Sequence, residues 1–192
     1  MYPAHTRAAM HRTVSFSFGI AALFAATACH HSAPVADNAI RAKAFLLDSL
    51  GRETGHVTFT EMPGVAGVII AIDVSRGATP GQHGIHVHSV GKCEAAGAFA
   101  SAGGHFNPSS KHHGLFNPEG PHAGDLEALT IDEFGRASFV ATSTRVTLSP
   151  GPNSLLDADG SAIVLHALPD DQRTDPSGSS GGRIACGVVT RE

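Results

Sequence analysis

The sequence predicts an all-β domain, a sandwich or barrel of about eight short strands broken by two long loops. Three observations carry this. From Ile40 onward, short β-branched or apolar runs alternate with turn residues. Outside the N-terminal stretch, no 12-residue window repeats its apolar residues at the helical period. The composition, with 22 Gly and 11 Pro, is rich in turn formers, and with no Trp and one Tyr the core falls to Val, Ile, Leu, Ala and Phe. A chain of 192 residues suits one domain with a sizeable core.

The first 28 residues stand apart. Arg7 and Arg12 precede an uncharged, largely apolar run from Val14 to Ala28, the pattern of an export signal. At about 15 residues the run is too short for a transmembrane helix. Cleavage after Ala26-Thr27-Ala28 fits an ordinary signal. Small residues directly before Cys29 also resemble a bacterial lipoprotein signal with Cys29 lipidated, although Ala26 stands where Leu is usual. The expectation taken forward is an exported protein of the periplasm or cell envelope, anchored to the membrane through Cys29. Residues 29–38, with His30 and His31, read as a polar tether, and 39–192 as the domain. Losing residues 1–28 removes two basic and no acidic residues, so the net charge moves from −4 to −6. Without a basic stripe, neither value suits nucleic acid.

The domain's runs are, in order, AKAFLLDS, HVTFTEM, GVAGVIIAIDV, HGIHVHSV, DLEALTID, RASFVATS, SAIVLHAL and RIACGVVTR. Gly51, Pro63-Gly64, Gly77, Pro80-Gly81 and the stretch from Glu133 to Gly135 punctuate them. Two insertions break the spacing, one from roughly Gly91 to Asp125 and one over 169–182. The second, PDDQRTDPSGSSGG, reads alone as a linker, but the apolar run after it makes it a loop inside the domain. Long loops on compact β domains usually carry function.

The first insertion and the strand before it concentrate histidine. Of 13 His, this stretch holds His86, His88, His105, His112, His113 and His122, closed by Asp125. Period-two geometry puts His86 and His88 on one face of a strand, with Val87 on the other. His105 lies in a Gly-rich turn, and His113, His122 and Asp125 follow at spacings of eight, nine and three. Imidazole and carboxylate are what a tetrahedral zinc site takes when thiolates are absent. Adjacent side chains diverge, so only one of His112 and His113 can join a given ion. His166 ends a later strand, where a lone His is more often a plain surface residue. Of the three Cys, Cys29 sits at the signal boundary, which leaves Cys93 and Cys186 able to pair in an oxidising compartment.

The segments GIHVHSVGKC, SAGGHFNPSSKHHG, PHAGDL, VLHALPDD and GGRIACGVV, in this order, resemble the copper–zinc superoxide dismutases over roughly residues 55–192. The resemblance implies an eight-stranded Greek-key barrel with one copper and one zinc per subunit. It implies His86, His88, His105 and His166 as copper ligands, and His105, His113, His122 and Asp125 as zinc ligands, with His105 shared. Asp170 matches the carboxylate that links a copper ligand to a zinc ligand. Arg183 matches the arginine that docks superoxide beside the copper, and Cys93 and Cys186 match the disulfide. The implied reaction is dismutation of superoxide to O₂ and H₂O₂, with Arg183 and His105 in the catalytic machinery, by a monomer or homodimer that protects the cell envelope.

Departures from the family are visible. Cys93 follows His88 by only five positions, as in the bacterial branch. Loop 169–182 carries Asp170, Asp171 and Asp175 against Arg173 and no Lys, so Lys92 and Lys111 are the candidates for guiding superoxide. The alternative function is an exported copper- and zinc-buffering protein of the same fold, which needs no anion-docking arginine. A zinc hydrolase is excluded because three His and one Asp leave no open position for water.

Overall fold

The computed structural model describes residues 38–192. The expected signal over 1–28, Cys29, His30, His31 and the tether up to residue 37 lie outside the described residues. Ten strands follow: β1 (Ile40–Asp48), β2 (Glu53–Glu61), β3 (Val68–Val74), β4 (Gly81–His83), β5 (Ile85–His88), β6 (Leu129–Ile131), β7 (Ala137–Ser143), β8 (Ala162–His166), β9 (Arg183–Val188) and β10 (Thr190–Arg191). The one helix among the described residues is a 3₁₀ turn, Ala100–Ala102, and no helix there is long and apolar enough to cross a membrane.

Alternation builds the main sheet. β1 turns Ala42, Ala44 and Leu46 inward, β2 turns Val57 and Phe59, and β3 turns Val68, Ile70, Ile72 and Val74. The sheet curls as one antiparallel surface in the order β5-β8-β9-β1-β2-β3-β7, with β10 also on β1, while β4 and β6 pair separately. β1, β2 and β3 are sequential neighbours and β9 returns to lie beside β1, as in a Greek key.

The eight sequence runs thus become ten strands. The run around His83 and His88 is cut at Gly84. β4 pairs with β6, whereas Gly84 N–H donates to Leu168 O and Gly84 O accepts from His166 N–H, so the chain changes partners at that residue. The last run is cut where Val189 N–H turns to Ser161 O, after which β10 joins β1. A third long connection, 144–161, was not among the two insertions read from sequence. It buries Val146, Leu148 and Leu155, and the Glu61 carboxylate accepts the Leu148 and Ser149 N–H groups.

β8 is buried at every residue because it has cover on both faces. Ile163 and Leu165 face the main core; Ala162 and Val164 face a smaller cluster with Phe99, Ala102, Cys186 and Cys93. β5 is built alike, with Ile85 and Val87 in the main core and His86 and His88 buried on the other side. The His-rich loop supplies that outer cover and also occupies the edge of β5. Val87 N–H donates to Gly124 O, and Phe106 N–H donates to Val87 O, at 2.9 and 2.8 Å.

Cys93 and Cys186 form a disulfide, with Cα atoms 5.6 Å apart. It ties the loop to β9 across a sequence separation of 93 residues. The chain-entropy model puts closure of such a span at roughly 4–5 kcal/mol. Cys93→Ser should therefore lower the melting temperature and speed metal loss in the loop that the bond anchors. Unchanged melting and zinc content would contradict that role.

Candidate metal centre

Strand geometry delivers the first cluster. His86 and His88 come from β5, His166 from the end of β8, and His105 from the loop that pairs back along β5. One ligand atom from each of the four lies within 4.8 Å of those of the others, and all four residues are buried. The second cluster, with the same mutual reach and burial, comprises His105, His113, His122 and Asp125. His105 belongs to both.

Hydrogen bonds show which nitrogen of each ring is spoken for. Nδ1 of His88 meets Gly103 O at 2.9 Å and Nδ1 of His166 meets Gly181 O at 3.2 Å, so their Nε2 atoms, 3.4 Å apart, face the cluster. His86 is reversed: Nε2 meets Asp170 Oδ2 at 2.7 Å, and Nδ1 is buried without a partner. His105 has Nδ1 at 2.8 Å from Asp125 Oδ1, while its Nε2 is buried without a partner. Two buried, unpartnered imidazole nitrogens are costly unless something accepts their lone pairs. Both belong to the first cluster, since His105 turns its other nitrogen to Asp125, and one cation there fits them. Its four imidazoles suit copper, while the three imidazoles and carboxylate of the second cluster suit zinc.

Carboxylates organise the rest. Asp125 Oδ1 faces His105, His113 and His122 at 2.8, 3.1 and 3.2 Å, while Oδ2 accepts the N–H groups of Gly114 and His122. Asp170 spans the clusters, with Oδ2 on His86 and Oδ1 on His113 Nε2 at 3.0 Å. Gly178 lets the backbone pass against it, since a Cβ there would lie 1.7 Å from Asp170 Oδ1. Of the adjacent pair, His113 lies between the two carboxylates, whereas His112 points outward, half-exposed, to Asp175 and Glu119.

The protonation states follow from burial and these bonds. Burial pushes His86, His88 and His166 down to about 3, 2 and 4, and lowers His105 as well. Burial acts on His113 the same way, but its bonds to Asp125 and Asp170 prevail and lift it to about 9. Both carboxyls resist burial: imidazole and backbone N–H groups hold Asp125 and Asp170 well below the usual range. The first cluster is thus preset with neutral, metal-ready rings.

Arg183 is aimed by a bulge. Leu165 pairs with Ala185, but His166 pairs with Arg183, leaving Ile184 over. Ile184 packs against the main core while Arg183 turns to the loop, donating from Nη1 to Phe99 O and from Nη2 to Gly103 O, each at 2.6 Å. It lines a mouth of about 440 Å³ together with His88, His105, His122, His166 and Ser177. Two supporting residues had no sequence signal. Arg145, from the third long connection, donates from Nη2 to Asp125 O at 2.6 Å, and Gln172 bonds Asp170. Lys92 pairs with Glu94 at 2.8 Å, which weakens its candidacy for guiding an anion.

Fold and site together define a β-barrel metalloprotein with two clusters joined through one imidazole. A family model described as copper/zinc superoxide dismutase matches residues 53–189, and the chain belongs to that family of copper- and zinc-binding oxidoreductases. It is 46% identical over 125 residues to superoxide dismutase [Cu-Zn] 1 of Aquifex aeolicus, covering 65% of this chain and 73% of that one. Against superoxide dismutase [Cu-Zn] of Caulobacter vibrioides the identity is 42% over 142 residues, covering 72% and 79%. The crystal structure of a superoxide dismutase-like protein from Bacillus subtilis superposes with a TM-score of 0.71 at 36% identity, covering 76% and 96%.

The protonation pattern sets the pH dependence of metal-free protein. The lowered His residues stay neutral in the fold but take up protons near 6.5 when unfolded, so their contribution is full above 6.5 and falls on acidification. His113 works oppositely: its contribution is complete below 6.5 and lost as pH rises through about 9. Chelator-treated protein should melt highest near neutrality, losing stability steeply toward acid and more gently toward alkali. A flat acid limb in calorimetry would refute this.

Proposed function

We propose that this chain dismutates superoxide, 2 O₂⁻ + 2 H⁺ → O₂ + H₂O₂, in the cell envelope. His86, His88, His105 and His166 would hold copper; His105, His113, His122 and Asp125 would hold zinc. The observation that carries the reading is His105, buried in both clusters, with Nδ1 engaged toward Asp125 and Nε2 unpartnered. When bound, copper supplies a one-electron couple that accepts an electron from one superoxide and gives it to a second.

The chain's own residues do the rest. Arg183 is fixed by two carbonyl bonds, and its guanidinium presents a cation at the mouth where an anionic substrate docks. His105 Nε2 is the position we assign to a transferable proton, because Nδ1 is turned toward Asp125 into the second cluster. Asp170 fixes the orientation of His86 and His113 at once. Asp125, Gly114 and His122 lock the second cluster, leaving it a structural task.

A second reading, metal buffering, is favoured by the likeness to a protein named only as superoxide dismutase-like. Arg183 separates them. Metal-reconstituted protein should dismutate superoxide, and Arg183→Ala should lose roughly 10–100-fold, the worth of a charge-assisted hydrogen bond, at unchanged copper content. Negligible turnover by fully loaded wild type would favour buffering. Export with lipidation at Cys29 is part of the proposal. Mass spectrometry of the mature N-terminus should find a diacylglyceryl Cys29, and a free thiol there would leave export without an anchor.

A further inference from the structure

Gln172 occupies a position that neither the metal ligands nor the reaction require by type, yet every polar atom of its side chain is used. It is buried, 5% exposed, in the loop between β8 and β9. Its Nε2 donates to Asp170 Oδ2 at 2.8 Å and to Leu126 O at 3.0 Å; its Oε1 accepts from Leu115 N–H at 3.1 Å. The reverse amide orientation would set the NH₂ group against an N–H and the carbonyl against two acceptors, so chemistry fixes this one. Its backbone N–H donates to Asp170 Oδ1 at 2.6 Å, and its carbonyl accepts from Phe116 N–H at 3.2 Å.

The three partners are not scattered. Leu115 lies two residues after His113, Leu126 directly follows Asp125, and Asp170 joins the two clusters. One amide therefore clamps both ends of the segment that carries His113, His122 and Asp125, together with the carboxylate that spans the site. The approach is close enough that a Cβ on Gly114 would lie 2.0 Å from Gln172 O. Gln172 itself sits at φ 59°, left-handed backbone that a non-glycine residue keeps only where its surroundings over-determine it.

We infer that Gln172 is a positioning residue for the second cluster, acting through Asp170 and the flanking backbone rather than by touching the ion or substrate. The inference rests on the reading that His105, His113, His122 and Asp125 hold zinc. Two donors and one acceptor are needed together, which amide alone supplies at this length. Glutamate would place a carboxylate oxygen against Asp170 and Leu126 O; methionine keeps the length but offers no donor.

The test uses cobalt(II) as a coloured probe of the second cluster in copper-loaded protein. Q172E and Q172M should bind cobalt roughly 10–100-fold more weakly than wild type, the usual cost of losing a group that orients metal ligands. Their visible cobalt bands should shift, and their zinc should leave faster to a chelator. Should Q172E fail to fold, Q172M alone carries the test. A melting temperature lowered in Q172M with cobalt affinity and spectrum unchanged would reduce Gln172 to a packing residue and overturn the inference. Failure of wild type itself to take up cobalt would overturn the zinc reading and this inference with it, so the two failures are distinct.

Discussion

Two buried carboxylates hold this site together. Asp125 and Asp170 are taken out of water among four imidazoles, and a buried charge is tolerable only where hydrogen bonds or cations surround it. Asp125 meets this with three rings and two backbone N–H groups, Asp170 with two rings, the Gln172 amide and a backbone N–H. The demand for partners fixes the loops. His105, His113 and His122 come from one long connection and His86 from a strand, yet each is oriented by one or both carboxylates. Removing either would strand a set of buried rings.

The barrel's contribution is to offer β5 two buried faces and one open edge. Its apolar face completes the core, its imidazole face awaits a cover, and the edge accepts the loop as if it were another strand. The bridges His86 to Asp125 and His88 to His105 put members of the two clusters side by side through backbone pairing alone. Side-chain chemistry then has little searching left to do. The Cys93–Cys186 bond anchors the far part of the loop against β9 within its own small apolar cluster, which includes Phe99, whose carbonyl receives Arg183.

Much of this was legible in the chain. His86-Val87-His88 declared its shared face through strand periodicity, and the density of His ahead of Asp125 declared a metal loop. Adjacency alone left His112 and His113 open and only the family resemblance preferred His113; the structure buries His113 and leaves His112 outside with Asp175. What stayed hidden depends on register and long-range contact. Strand alternation inward from Ala185 would turn Arg183 toward the core; only the extra Ile184 reverses it, and nothing local marks a bulge there. Arg145 and Gln172 reach the site from connections whose composition reads as ordinary loop. The cut at Gly84 follows from a change of partners that no single run can show.

The same contacts alter the electrostatic picture drawn from composition. Counted as charge, the acidic loop and the net −6 of the expected mature chain would repel superoxide. Placed in the structure, those aspartates are committed elsewhere. Asp170 is buried among imidazoles, Asp171 accepts the N–H groups of Arg173 and Thr174, and Asp175 accepts His113 N–H and meets His112. None of the described residues that line the mouth is acidic, and Arg183 lies among them. A fixed cation in a partly desolvated opening acts more strongly than exposed charges a Debye length away, about 8–10 Å at physiological salt. Attraction at this mouth is therefore a matter of where the loop's hydrogen bonds turn its carboxylates, and only secondarily of how many it has.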